Sequence, residues 1–195
     1  LHLSIRRQRQ MCIRDRVEVV GQERARGVSD AHGEFFLQNV VLFGSYPLTL
    51  DYEKKGGFRH RQQFTHLDSF DSPKLFVFSN PQVEDLIGQV AGGVSPESGL
   101  VIGAVPALGV ELEKNKLYPH FASLEADPLL RAEPYVLNPS GQFLIKEPLL
   151  EENPRFTMLQ TPEGQGIVDL RTAQSEIVWS QLIVSSPGVI NLVGL

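Results

Sequence analysis

The sequence predicts an all-β protein, and three of its features support that class. Its 17 glycines and 13 prolines are scattered at short intervals, as in chains of short strands joined by turns. Apolar residues recur at every second position in several runs, most clearly at Tyr46, Leu48, Leu50 and Tyr52, which is typical of a half-buried strand. No segment shows ten residues of helical periodicity, so we expect antiparallel sheets that pack as β-sandwiches.

The chain is organised around a turn followed by a strand, and this motif occurs twice. Residues 28–40, VSDAHGEFFLQNV, open a tight turn with an Asp and close it with a Gly before a Phe-rich run. Residues 136–145, VLNPSGQFLI, repeat the pattern with Asn in place of Asp. In the first copy we expect Phe35 and Leu37 on one face of the strand and Phe36 on the other.

Further apolar runs predict strands in both halves of the chain. The first half gives strands at residues 17–20, 34–41, 46–52, 58–66 and 74–78. The second half gives strands at residues 86–90, 100–105, 110–112, 155–159, 167–170, 177–179 and 182–184, and residues 135–145 carry the second copy of the motif. The Lys-Lys-Gly-Gly sequence at 54–57 predicts a hairpin turn. Residues 117–134 show no period and predict an irregular insertion.

The two motif copies belong to a longer internal repeat. Aligning Gly33 with Gly141 also brings Gly57 beside Gly166, as hairpin glycines, and residues 74–88 beside residues 181–194. The repeat predicts a first sandwich at residues 17–83, truncated at its N-terminus, and a second at 84–187. Residues 188–195 would then begin a third repeat, so neighbouring repeats of the same chain are expected partners.

Residues 1–16, LHLSIRRQRQMCIRDR, differ from the rest in composition. They hold five arginines and the only cysteine of the chain, Cys12, and show no strand or helix period. The run RRQRQMCIRDR resembles a translated sequencing adapter, so we expect a non-native tail that lies unpacked. The alternative is a basic arm for nucleic acid.

Composition limits the functions of the remaining chain. Without the tail, Lys and Arg fall from 18 to 13 and Asp and Glu from 23 to 22, which changes the net charge from −5 to −9. An acidic chain is a poor match for phosphates, so no nucleic acid partner is expected. The absence of cysteine there excludes disulfides and thiolate metal sites from that part. No apolar run is long enough to predict a membrane span.

The quoted motifs are similar to those of carboxypeptidase regulatory-like domains. The similarity is carried by SDAHGEFFLQNV at 29–40, YPLTL at 46–50 and Gly57-Phe58. The second unit departs from the pattern, since Asn138 replaces Asp and extra residues precede Tyr135. The resemblance implies tandem Ig-like, transthyretin-like β-sandwiches without catalytic activity or a cofactor. It also implies an extracellular, cell-surface or periplasmic location, and a role in spacing, adhesion or ligand presentation.

A carbohydrate-binding accessory module of a hydrolase or an outer-membrane receptor is the alternative function. Tyr118, His120 and Phe121 lie in the predicted insertion, where they could stack on a surface polysaccharide or contact a protein. The competing expectation is an insertion that folds over the sandwich and buries its own aromatic rings.

Other polar residues are weaker candidates. His60, His66 and Asp68 could form a metal or catalytic cluster, but we expect His60 and its neighbours on a solvent-exposed strand face. Asp68, Asp71 and Asp85 could bind calcium between sandwiches, and His32 and the pair Glu151-Glu152 are expected to be solvated. No motif of nucleophilic, zinc or phosphate chemistry is present, so neither an enzyme nor a metal site is predicted.

Overall fold

The computed structural model describes residues 3–5, 15–42, 47–53, 56–64, 75–89, 95, 97–104, 117–124, 132–137, 143–145 and 155–194. The chain divides into two compact units, Leu1–Val83 and Glu84–Leu195. Strands dominate the described residues, which include one short helix, so the predicted all-β class is confirmed.

The first unit contains an antiparallel sheet in the strand order β6-β5-β2-β3, and a separate pair of strands, β1 and β4. The strands are β1 (Leu3–Ile5), β2 (Arg16–Val19), β3 (Arg26–Val28), β4 (Phe35–Leu37), β5 (Leu48–Glu53) and β6 (Arg59–Phe64). Val17 lies opposite Tyr52 and Val19 opposite Leu50, and all four side chains are buried. The predicted alternation of Leu48, Leu50 and Tyr52 is therefore confirmed, whereas Tyr46 lies outside the described residues.

The predicted Asp–Gly turn precedes β4. The Asp30 carboxylate accepts hydrogen bonds from the backbone amides of His32, at 2.8 Å, and Glu34, at 2.9 Å. Gly33 has a φ of 76°, a conformation that favours glycine. Beyond this turn Phe35 is buried and Phe36 is 58% exposed, which confirms the predicted faces of this strand.

The prediction that residues 1–16 lie unpacked is wrong for their described part. Residues 3–5 form β1 and pair with β4, Asp15 is buried, and Arg16 begins β2. The physical reason is that a strand edge offers unpaired amides and carbonyls to any extended segment of suitable length.

Residues 75–88 contain a helix where strands were predicted. Residues 75–79 form no strand, and helix α1 runs from Asn80 to Gly88, across the boundary between the units. Ser79 and Gln82 form a reciprocal cap: the Gln82 side-chain oxygen accepts from the Ser79 amide at 2.9 Å, and the Ser79 hydroxyl accepts from the Gln82 amide at 3.4 Å. The predicted strands at 74–78 and 86–90 are therefore wrong in their described residues.

The second unit consists of two sheets packed face to face. Its strands are β7 (Gly99–Ala104), β8 (Leu117–Ser123), β9 (Glu133–Leu137), β10 (Phe143–Ile145), β11 (Arg155–Thr161), β12 (Gly164–Thr172), β13 (Ile177–Ser185) and β14 (Val189–Val193). Strands β10-β9-β11-β7-β14 form a five-stranded sheet, and β13-β12-β8 form a three-stranded sheet. The β7–β14 pairing is parallel, unlike the predicted antiparallel pattern. Residues of both sheets share one core: Val101, Leu117, Phe121, Ala132, Val136, Phe156, Met158, Val168, Leu170, Ile183 and Val193.

Several local predictions in this unit are wrong. Residues 117–123 form β8 rather than an irregular insertion, and the two strands predicted between residues 177 and 184 are one strand, β13. Gly166 lies inside β12, where it pairs with Ile183 and Ser123, so it is not a hairpin glycine. Residues 181–194 form strands while residues 75–88 form an extended segment and a helix, so these aligned segments differ in structure. The tandem repeat stays a prediction.

Candidate functional site

The three predicted ligand-binding residues lie on β8, and they point to opposite faces of the three-stranded sheet. Leu117, Pro119 and Phe121 are buried, whereas Tyr118 and His120 are partly exposed on the outer face. Phe121 is 4% exposed and belongs to the core, so its predicted contact with a ligand is wrong. The reason is that successive side chains of a strand point to opposite faces of the sheet, so residues 120 and 121 cannot face the same ligand. An irregular loop would not impose this separation.

Strand β12 places two further polar side chains beside Tyr118 and His120. Asp169 lies opposite His120, and Arg171 lies opposite Tyr118. Cross-strand neighbours on one face of a sheet are close enough to interact, so these four residues form one group, which we call the sheet-face cluster.

The buried Asp169 carboxylate is the centre of the sheet-face cluster. Its Oδ2 atom lies 2.6 Å from Arg171 Nη2 and 3.8 Å from His120 Nδ1. The Asp169 side chain is only 4% exposed, while those of His120 and Arg171 are 41% and 31% exposed. The carboxylate therefore balances and orients the guanidinium, and the imidazole and guanidinium remain accessible from solvent.

An apolar surface continues the outer face toward β13. Ile167 on β12 lies opposite both Ala122 and Leu182. Leu182 is 48% exposed and Val184, which lies opposite Gln165, is 43% exposed. The three-stranded sheet thus presents an apolar row directly beside its polar cluster.

The sequence indicated Tyr118 and His120 but missed their neighbours. Asp169 and Arg171 alternate with buried Val168 and Leu170, so an outward position could have been predicted for them. The pairing of β12 with β8 is what brings them to Tyr118 and His120, and no local pattern indicates that register.

His60 is buried rather than exposed, contrary to the expected solvent-facing strand. His60 and Gln62 are each 2% exposed, and the His60 ring stacks on Tyr52 with a centroid separation of 5.3 Å and an interplanar angle of 13°. His60 Nε2 accepts a hydrogen bond from the Phe78 amide at 3.1 Å. Through this hydrogen bond the imidazole fixes the position of the backbone at Phe78.

Most of the other candidate residues lie outside the described part of the chain, and the described ones lie in separate segments. His66, Asp68, Asp71, Glu151 and Glu152 lie outside the described residues, and His32 is exposed in the turn before β4. Asp85 on α1 accepts from the Gln89 side chain at 3.3 Å. Within the described part of the chain, no three acidic, histidine or cysteine side chains are grouped to hold a metal ion. No helix among those residues is long and apolar enough to cross a membrane.

Comparison with family models, with curated proteins and with solved structures gave no match to this chain. Function is therefore inferred from the geometry of the sheet-face cluster and the apolar row beside it.

Proposed function

We propose that this chain is a non-catalytic β-sandwich module of a bacterial secreted or cell-surface protein that serves as a spacer and presents a binding surface. The binding surface is the outer face of the three-stranded sheet, and the exposure of Leu182 and Val184 on that face carries the proposal. The outer faces of antiparallel sheets are usually polar. Contiguous exposed apolar side chains on such a face are typical of an interaction site.

Rigidity supports a presenting role for this face. The Thr161 and Ser185 hydroxyls are buried and lie 2.8 Å apart, which ties β11 of one sheet to β13 of the other. Phe121 anchors β8 in the shared core. A surface that is fixed before binding loses little conformational entropy when a partner docks.

The structural use of ionisable side chains supports a non-catalytic role. Arg61 binds Asp51 through two hydrogen bonds, of 2.6 and 2.8 Å. Arg171 binds Asp169, and His60 accepts a backbone amide. Groups held in this way stabilise the fold and are not positioned as a nucleophile with its general base.

Binding of a saccharide is the second candidate function, and the sheet-face cluster favours it. Tyr118 is half-buried next to Arg171, so a ring and an oriented guanidinium lie side by side. A tyrosine ring can pack on the apolar face of a sugar while guanidinium and imidazole groups bind its hydroxyls. Leu182 and Val184 would not be needed for such a ligand.

Binding of the labelled full chain to immobilised polysaccharides and to immobilised extracellular matrix proteins tests both functions. For a protein partner, Leu182→Lys should lower the affinity at least about tenfold, since an apolar contact of this kind contributes about 1.5 kcal/mol or more. Val28→Lys is the matched control, because Val28 is a 61% exposed apolar residue of the first unit. Equal effects of the two variants would refute the proposed surface.

Tyr118→Ala separates the two candidates. Loss of polysaccharide binding in Tyr118→Ala, with full binding by Leu182→Lys, would replace protein binding by saccharide binding. Turnover of ester, glycoside or peptide substrates that His120→Gln abolishes would overturn the non-catalytic role.

A further inference from the structure

Two polar side chains lie on the core face of the sheet in the first unit. His60 pairs across the strands with Tyr52, and Gln62 pairs with Leu50, so both share a face with buried apolar residues. A buried polar side chain is costly unless it is hydrogen-bonded. The partners of His60 and Gln62 therefore explain why these residues stand at these positions.

Both side chains bind the backbone of residues 75–79, which we call the strap. Gln62 Oε1 accepts from the Phe76 amide at 3.1 Å, and His60 Nε2 accepts from the Phe78 amide at 3.1 Å. The Tyr52 hydroxyl also donates to the Phe76 carbonyl. Alternate residues of β6 thus meet alternate residues of the strap, which lies on the sheet face and is held by side chains instead of a strand ladder.

The bond to His60 exists only while the imidazole is neutral. A neutral ring with its hydrogen on Nδ1 leaves the Nε2 lone pair free to accept, whereas a protonated ring has two donors and no acceptor. Protonation would therefore make two hydrogen-bond donors, His60 Nε2–H and the Phe78 amide, face each other. It would also place a charge on a side chain that is 2% exposed.

The charged groups around His60 differ between the two faces of the sheet. Arg59 and Arg61 lie on the opposite face from His60, and Arg61 pairs there with Asp51. On the core face, Tyr52 is the titratable group of β5, and residues 75–79 carry no charged side chain. Asp15 precedes β2 and lines the same small cavity as Tyr52 and Leu75, so its carboxyl group also faces this core.

We propose that the strap is an acid-released latch, held closed by neutral His60 and detached from β6 when His60 is protonated. Leu75 of the strap is buried, so detachment uncovers apolar surface of the first unit. The latch does not depend on the sheet-face cluster, which belongs to the second unit. It gives the module a surface that is exposed only in acidic surroundings.

Amide hydrogen exchange of the full chain, resolved by residue and corrected for intrinsic exchange, tests the latch. From about pH 7.5 to about pH 5.5, the protection of the Phe76 and Phe78 amides should fall about tenfold. In the opened state the imidazole is solvated, and protonation of a solvated histidine, with a pKa of about 6.5, favours that state about tenfold over this range. Amides paired within β2 and β5 should keep their protection, since their bonds involve no histidine.

His60→Gln is the decisive variant, because a glutamine oxygen accepts at any pH, as Gln62 does. In this variant the strap amides should change less than about twofold over the same range. An undiminished pH response in His60→Gln would overturn the latch, and a response lost in Asp15→Asn alone would assign it to Asp15. If His60→Gln does not fold, the His60 ring resonances of the wild type decide: strap opening must follow their titration.

Discussion

Gly166→Ala tests whether Phe121 is a core residue or a ligand-binding residue. A Cβ atom at position 166 would lie 2.4 Å from Cζ and 2.5 Å from Cε2 of Phe121, and 3.2 Å from the carbonyl oxygen of Ala122. The two separations from the Phe121 ring are far below contact distance, and the third is only slightly short. The ring of Phe121 therefore occupies the space that the glycine leaves open on β12.

The cost of Gly166→Ala follows from two opposing effects. Overpacking a well-filled core costs about 1–3 kcal/mol, whereas alanine in place of glycine inside a strand contributes about 0.5–1 kcal/mol in favour of folding. Because the Phe121 ring is buried on all sides, we expect a net loss of about 1–2 kcal/mol. Phe121→Ala alone should cost about 3–5 kcal/mol.

The double variant isolates the contact between the two residues. Once Phe121 is alanine, Gly166→Ala has no ring to meet and should be neutral or stabilise by about 0.5–1 kcal/mol. The coupling energy of the cycle is then about 2 kcal/mol, well above the deviation from additivity expected for independent sites.

Urea unfolding followed by tryptophan fluorescence measures this cycle in the second unit. Trp179 is the only tryptophan of the chain, and it packs against the core that contains Phe121. Gly88→Ala is the matched control: no atom lies within 4 Å of the added Cβ, so only the gain of alanine over glycine remains and the variant should be neutral or stabilised by up to about 1 kcal/mol. Equal costs of Gly166→Ala with and without the Phe121 ring would refute the steric explanation.

Two further predictions concern the first unit. Arg61→Met leaves the buried Asp51 carboxylate without the two hydrogen bonds from Arg61 and should lower the free energy of unfolding in urea by about 3 kcal/mol. The double variant Arg61→Met with Asp51→Leu should recover most of that loss. A double variant as unstable as the single one would contradict this prediction. The amides of Glu34 and His32 hold the pKa of Asp30 below its usual value of 3.8, so its stabilising contribution is present above that value and is lost as the pH falls through the lowered pKa. Asp30→Ala should therefore melt below the wild type at neutral pH, and the two melting temperatures should converge in strong acid; Asp30→Asn is the non-titrating control.

The strands that the sequence predicted well are those whose apolar residues alternate along one buried face. Phe35 and Leu37 are buried while Phe36 is exposed, and Leu48 and Leu50 point into the core as expected. In such strands the period of two is enough to predict burial, because each side chain faces either the core or the solvent.

The sheet-face cluster could be predicted only in part because it depends on strand register. Leu117 and Phe121 alternate with Tyr118 and His120, so β8 has the period of a strand, with Pro119 inside it, although an irregular insertion was predicted over residues 117–134. Proline is tolerated there because β8 ends the order β13-β12-β8 of its described sheet. The pairing of Asp169 with His120 involves strands that are distant in sequence, and only the folded sheet specifies it.

Residues 75–88 and 181–194 show why similar apolar spacing produced different structures. Both segments carry apolar residues in the same order, which is what the repeat alignment compares. In the second segment the backbone amides find partners on β12 and β7, so the chain forms strands. In the first segment they find side-chain acceptors on Gln62 and His60, and the Ser79 cap then starts a helix. The hydrogen-bond partners of the backbone amides, rather than the order of apolar residues, therefore decide which structure such a segment adopts.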